Sequence, residues 1–245
     1  MNRGLGSSIA AALASVLLAF GLASTGAHAA TSTSLVTSQS GITADGLIDW
    51  GVLGSELTTV RQPFTIDVPN VSGLNVTVSQ SSGDFQRLDQ SSPGLWQGNF
   101  AQGDKLLSTR ALPGATGPVS LAFNSPVQGV GAQIQAFSYG SFTATIEAFN
   151  SSNASLGSFT LAGNSTAARD SSAIFIGILS NAVDISRVVF GVPVATDLAQ
   201  DFLINGPRVQ VAPVPEPEAY AMLMAGLGLL GFIARRRRKS LNAAA

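Results

Sequence analysis

From Thr31 to Ala212 the chain has no helix-period stretch of useful length; its apolar residues fall in short runs broken by glycine, proline, serine and asparagine. Runs of that length suit strands and are too short for packed helices, so the spacing predicts an antiparallel all-β domain. The clearest strand is "SFTATIEAF", Ser141 to Phe149, where Phe142, Ala144, Ile146 and Ala148 alternate with Thr143, Thr145 and Glu147. One face is set to pack and the other to meet water. "VGAQIQAF" alternates Val130, Ala132, Ile134 and Ala136 against Gln133 and Gln135, and the "SYGS" between the two segments reads as a hairpin turn.

"SLGSFTLAG", "SAIFIGIL" and "ISRVVFGV" follow at hairpin spacing, and "QDFLINGPRVQV" ends the series. Within it "AIFIGIL" is apolar on both faces, as a central strand requires. Earlier strands are expected at "LIDWGVL", "FTIDV", "LNVTVSQ" and "PVSLAF", while the glycine-rich region from Gln80 to Gly117 carries no assignable pattern. About ten strands without a helix predict a two-sheet antiparallel sandwich of the jelly-roll kind.

Both ends differ from this body. Arg3, an apolar run from Ile9 to Leu22 and the small-x-small site at Ala27 and Ala29 make residues 1–29 a signal peptide, cleaved most simply after Ala29. That leaves residues 30–212 as the ectodomain. Next comes Val214-Pro215-Glu216-Pro217, then sixteen uncharged residues from Ala219 to Ala234, then Arg235, Arg236, Arg237, Arg238 and Lys239. As a helix the uncharged segment would be about 24 Å long, at the lower edge of what crosses a hydrocarbon core of about 30 Å. The five cations act as a stop-transfer cluster that stays cytoplasmic, so everything before them lies outside that membrane. The two prolines hold the backbone extended, with few amide donors, and open to a processing enzyme.

In its order of parts, residues 213–240 resemble the PEP-CTERM sorting signal of Gram-negative bacteria. The resemblance implies that Pro215, Glu216 and Pro217 are read by the membrane protease-transpeptidase exosortase. It also implies that residues 219–234 anchor the chain transiently in the inner membrane, and that processing sends the ectodomain to the cell surface or beyond. "LIDWGVLG", "PVQGVGAQIQ", "GSFTATIEAFNSSNASLGSFTLAGNS" and "DFLINGPRVQV" further resemble ectodomains that accompany such tails. Those relatives have no agreed activity, so the likeness supports the jelly roll and transfers no catalytic residue.

Composition narrows the chemistry. The body from Ala30 to Val214 holds twelve Asp or Glu against seven scattered Lys or Arg, a net charge of −5, which argues against a nucleic-acid surface. The chain has no cysteine, and its one histidine, His28, falls in the leader. Thiol chemistry is excluded, and serine–histidine catalysis and histidine metal ligation lose their key residue in the mature chain.

Carboxylate pairs remain, with Asp45 and Asp49, Asp84 and Asp89, or Asp197 and Asp201 as near neighbours in sequence; glycosidase pairs, however, usually come from different strands. No catalytic residue and no cofactor is therefore expected, apart from a structural calcium ion that Asp197 or Asp201 could help to hold. Trp50, Trp96, Tyr139 and Phe100 are candidates for an aromatic platform. Trp96, in "GLWQGNF" with Gln97 and Asn99 at hand, is the best candidate glycan contact; the competing reading is a core or loop plug. These features lead to the expectation of an exported, non-enzymatic surface or extracellular-matrix protein associated with exopolysaccharide or biofilm. The alternatives are a carbohydrate-binding module and a glycan hydrolase.

Overall fold

The computed structural model describes residues 31–90, 95–110, 116–195, 200–211 and 223–228. Seven strands come first: β1 (Thr33–Val36), β2 (Gly46–Leu47), β3 (Thr59–Val60), β4 (Phe64–Asp67), β5 (Asn75–Ser82), β6 (Phe85–Asp89) and β7 (Lys105–Ser108). Eight follow: β8 (Thr116–Val127), β9 (Gly129–Ala136), β10 (Gly140–Phe149), β11 (Ser155–Ser165), β12 (Ile174–Ser180), β13 (Ile185–Ala195), β14 (Phe202–Ile204) and β15 (Arg208–Gln210). They form two antiparallel sheets. One runs β11-β10-β13-β8-β5-β4; the other runs β1-β12-β9-β14-β7-β6-β3, with β15 also beside β9 and β2 outside β15. From β8 to β9 to β10, and again from β11 through β14, the chain passes between the sheets in the jelly-roll manner, so the expected fold class holds.

Alternation explains the core. In the six-stranded sheet, Ala148, Val188, Leu121, Val78 and Phe64 lie opposite one another across five strands. Opposite them in the nine-stranded sheet, Ile134 lies between Ile174 and Ile204, and Val130 between Ile178 and Val209. All of these belong to one apolar cluster or pack against it. Each fully buried aliphatic side chain contributes about 1.5–3 kcal/mol, and a one-residue slip in any strand would turn its whole apolar set outward.

Several sequence expectations are corrected. Fifteen strands occur among the described residues, because the region from Gln80 to Gly117 contributes β6, β7 and the start of β8, and short strands go unseen in an apolar-run reading. "SYGS" makes no hairpin: β9 and β10 belong to different sheets, and the segment is a corner. "LIDWGVL" is strand only at β2 and then becomes a 3-10 turn over Trp50–Leu53. Asp49 causes the change, since its carboxylate accepts from the Gly51 N–H at 2.7 Å and offers the backbone an alternative to the ladder.

"QDFLINGPRVQV" is two strands lying end to end along β9. The register shifts by one residue between Ile204↔Ile134 and Arg208↔Gly131, so Asn205 to Pro207 form a bulge. "AIFIGIL" is flanked on both sides, by β1 and β9, as expected. Of the C-terminal apolar segment, residues 223–228 are α-helical, with Leu223, Met224 and Leu227 exposed. No helix among the described residues is long and apolar enough to cross a membrane.

Candidate functional site

β9 is buried on both faces. Val130, Ala132, Ile134 and Ala136 enter the sandwich core. On the opposite face the amides of Gln133 and Gln135 are covered by two loops, residues 95–104 and 166–173. Gln133 Nε2 donates to the carbonyls of Ser171 (3.2 Å) and Ala173 (2.9 Å), and Gln135 Nε2 donates to Ser165 Oγ (2.6 Å) and the Thr166 carbonyl (3.0 Å). Gly131 has no room for a side chain, because the Phe175 ring lies across it.

Asn99 joins the two loops. Its Nδ2 donates to Thr166 Oγ1 and Ser172 Oγ, both at 2.8 Å, and its Oδ1 accepts from the Thr166 N–H at 2.7 Å. Gln135 Oε1 accepts from the Asn99 N–H at 2.6 Å, and Gln90 exchanges two bonds with the backbone of Gly98. Asn99 is thus a buried clasp rather than a free partner for sugar hydroxyls. In the second loop the Ser172 hydroxyl and N–H both bond the Asp170 carboxylate, and these bonds hold it below the usual range.

Trp96 is half-buried over these loops. Its indole N–H donates to the Phe137 carbonyl at 2.7 Å, and its ring packs near Phe137 and Phe100, with centroids 5.8 and 6.3 Å away. Beneath it lies a small second core of Leu88, Phe100, Leu106, Ala173 and Leu203. Of the four aromatics in the expected platform, Trp50 and Phe100 are fully buried and leave it. Tyr139 is half exposed, with its hydroxyl donating to the Gln97 carbonyl at 2.7 Å. The Arg110 guanidinium sits 4.9 Å from the Phe137 ring centroid and 3.8 Å from Asp201 Oδ2. Trp96, Phe137, Tyr139 and Arg110 therefore make one mixed aromatic and cationic surface.

A cleft of about 420 Å³ opens beside the Asn205 bulge, where β14 hands over to β15 and the outer neighbours change from β7 to β2. Asp49, Asp104, Lys105, Asn205 and Arg208 are among its lining residues. Burial raises the Asp104 carboxyl above its ordinary value, against the hydrogen bonds from Asn205 and Ala101. Two donors in the wall, Trp50 Nε1 and Arg208 Nε, are buried without a partner among the described residues. Each costs about 1–3 kcal/mol, which a hydrogen-bonding molecule reaching it would remove.

Of the acids paired by sequence proximity, Asp45, Asp49, Asp84 and Asp89 each have a bonding partner of their own. Asp45 Oδ2 accepts from the Val211 N–H at 2.7 Å, while Asp49 caps its turn. Asp84 accepts from the Gln62 N–H at 3.2 Å. Asp89 pairs with Lys105 at 2.7 Å and with buried Arg87 at 2.5 Å. Burial pushes the Asp89 carboxyl up, but the bonds from Lys105 and Arg87 outweigh it and hold the carboxyl below the ordinary value. Asp201 faces Arg110, and Asp197 lies outside the described residues. No group of three acids or histidines that could hold a metal ion occurs among the described residues. The juxtaposition missed by sequence is Asp49 with Asp104 in one cleft; nothing in their spacing signals it.

Ala27, Ala29, Pro215, Glu216, Pro217 and Arg235 to Lys239 lie outside the described residues. The PEP-CTERM protein-sorting motif matches residues 213–239. The chain accordingly carries the mark of an exported, exosortase-sorted protein, with its C-terminal tail as transient membrane anchor. No curated protein matches the sequence. Among solved structures, a DUF4465 family protein from Bacteroides caccae is similar at 14% identity and a TM-score of 0.38, over 67% of this chain and 98% of that one. The enzymatically active domain of tailspike protein 4 from bacteriophage CBA120 is similar at 10% identity and a TM-score of 0.26, over 56% of this chain and 19% of that one.

Proposed function

We propose that the sandwich is a non-enzymatic surface or extracellular-matrix protein, released or transferred by an exosortase and associated with exopolysaccharide. The observation that carries this reading is a boundary. The last strand ends at Gln210, Val211 is tied to Asp45, and the sorting motif begins at residue 213. A cut near Pro215 to Pro217 therefore leaves every strand of the sandwich in place.

The non-enzymatic reading is supported by how the carboxylates are used: Asp45, Asp84 and Asp89 are each bonded to backbone or to a cation, and Asp49 is a cap. Mass spectrometry of the exported protein tests the processing step. The expected C-terminus lies near Pro215 to Pro217 in an exosortase-bearing host and disappears when exosortase is deleted; an end at Ala245 in exported protein refutes it. Fractionation of the same culture tests the destination, with the processed form expected in the matrix.

A carbohydrate-binding module is the second reading, favoured by the open Tyr139 ring beside Trp96. Retardation on polysaccharide gels is then expected, and Trp96→Ala abolishes it. Retardation that survives Trp96→Ala and is lost in Asp104→Asn would move the contact to the cleft. No retardation on any glycan, the host's own included, sinks this reading.

A further inference from the structure

One edge of the sandwich is built unlike the others. β1 and β4 have four residues each, and β2 and β3 two each. Arg61 follows β3, Pro63 precedes β4, and Asp67 ends it. Short strands, prolines and charges are the devices that stop an edge from accepting another strand. β11, the edge of the six-stranded sheet, is eleven residues long and contains neither a charge nor a proline.

Its N-terminal end is covered, where Thr33 Oγ1 donates to the Leu156 carbonyl at 3.0 Å. Further along, Phe159 and Leu161 face the core yet stay half-buried, because the sandwich is open on that side. The alternate residues Ser158, Thr160 and Ala162 are exposed. A strand laid alongside would therefore satisfy backbone groups and bury apolar surface together.

We propose that this edge takes the β11 of a second copy of the chain, antiparallel, about a two-fold axis at Thr160. The strand is symmetric about that residue in the properties that matter. Phe159 and Leu161 exchange places on the core side, Ser158 and Ala162 exchange places on the solvent side, and Thr160 meets itself. From Ser158 to Ala162 no charge is left unmatched, the core side pairs apolar with apolar, and the solvent side pairs only small residues. Two six-stranded sheets become one of twelve. A charged peptide would find nothing on β11 to pair with.

The chain has no cysteine, so a single introduced thiol reports one position. Mild oxidation of the full-length Thr160→Cys chain is expected to yield a disulfide-linked dimer, while Thr77→Cys, on β5 of the same sheet and four strands away from β11, stays monomeric. Thr160→Lys, which sets two cations face to face, weakens the dimer at least about tenfold in sedimentation velocity, with an unchanged circular dichroism spectrum. Three results overturn the proposal: a wild-type chain that is monomeric up to about 100 μM, an affinity near 5 kcal/mol being the weakest of interest; a dimer that Thr160→Cys does not lock; or a dimer that Thr160→Lys leaves intact.

Discussion

The outer faces of the two sheets are finished in opposite ways. On the six-stranded sheet the outward residues are short and polar, such as Thr65, Thr77, Thr143 and Thr145, and the strands run up to twelve residues with ladder bonds between them. The nine-stranded sheet is assembled from pieces, several of only two to four residues, and its outer face is roofed by loops fastened through buried amides. Ladder bonds and short cross-strand side-chain bonds, such as that between Thr65 and Thr77, hold the first face; side-chain bonds to loops from distant segments hold the second. Both candidate surfaces, the Trp96 patch and the Asn205 cleft, occur on the roofed sheet, where loops create relief.

This contrast can be broken experimentally, most severely at Asp89. Asp89→Asn leaves the buried Arg87 guanidinium without its counter-charge, a loss expected at about 3–5 kcal/mol in denaturant unfolding. The linkage has a definite sign. The Asp89 carboxyl is lower in the fold than its ordinary 3.8, so its contribution is present above that value and lost as pH falls through the lowered one. Wild type should lose stability in that acid range while Asp89→Asn shows a shallower slope.

Next in size is Asn99→Ala. It strands donors and acceptors on both loops and should cost about 2–4 kcal/mol, with a shift in Trp96 fluorescence that marks loosening of the roof. A smaller effect is expected at Asp104, whose carboxyl is raised by burial. Folding there favours the protonated form, so stability falls as pH rises from 3.8 through the raised value. Asp104→Asn should remove that slope and gain slightly at neutral pH, the gain being limited by solvent screening at a half-exposed site. Smallest is Thr77→Val on the unroofed face, expected within about 0.5 kcal/mol. A loss there as large as at Asn99 would erase the distinction between the faces.

The same contrast governs what could be read from the sequence. Long strands announce themselves: Phe142, Ala144, Ile146 and Ala148 alternate, and all four are buried as their spacing requires. In the other sheet, Gln133 and Gln135 also alternate and look like a wetted face, yet both are buried, because the loops that cover them come from residues 95–104 and 166–173. Periodicity records which side of a strand is apolar, not what distant segment will lie over the polar side. The cleft was invisible for the same reason. It depends on a one-residue bulge and on Asp49 and Asp104 converging from segments separated by β3 to β6. Trp96 was legible as a special aromatic, but the carbonyl that captures its N–H belongs to Phe137, at a corner read as a hairpin.

β15, beside the sorting motif, has a consequence in time. Its residues pair with β9 on one flank and β2 on the other, and Val209 is completely buried between them. A chain delivered from its N-terminus cannot seat β2, or close that flank of β9, until residues 208–210 have emerged on the far side of the membrane. By then the tail is next in line at the same membrane. Contacts between segments so far apart in the chain form slowly, so the tail's brief hold on the bilayer would give β15 time to be seated. Cleavage before β15 is seated would free an incomplete sheet, whereas cleavage afterwards frees a finished one.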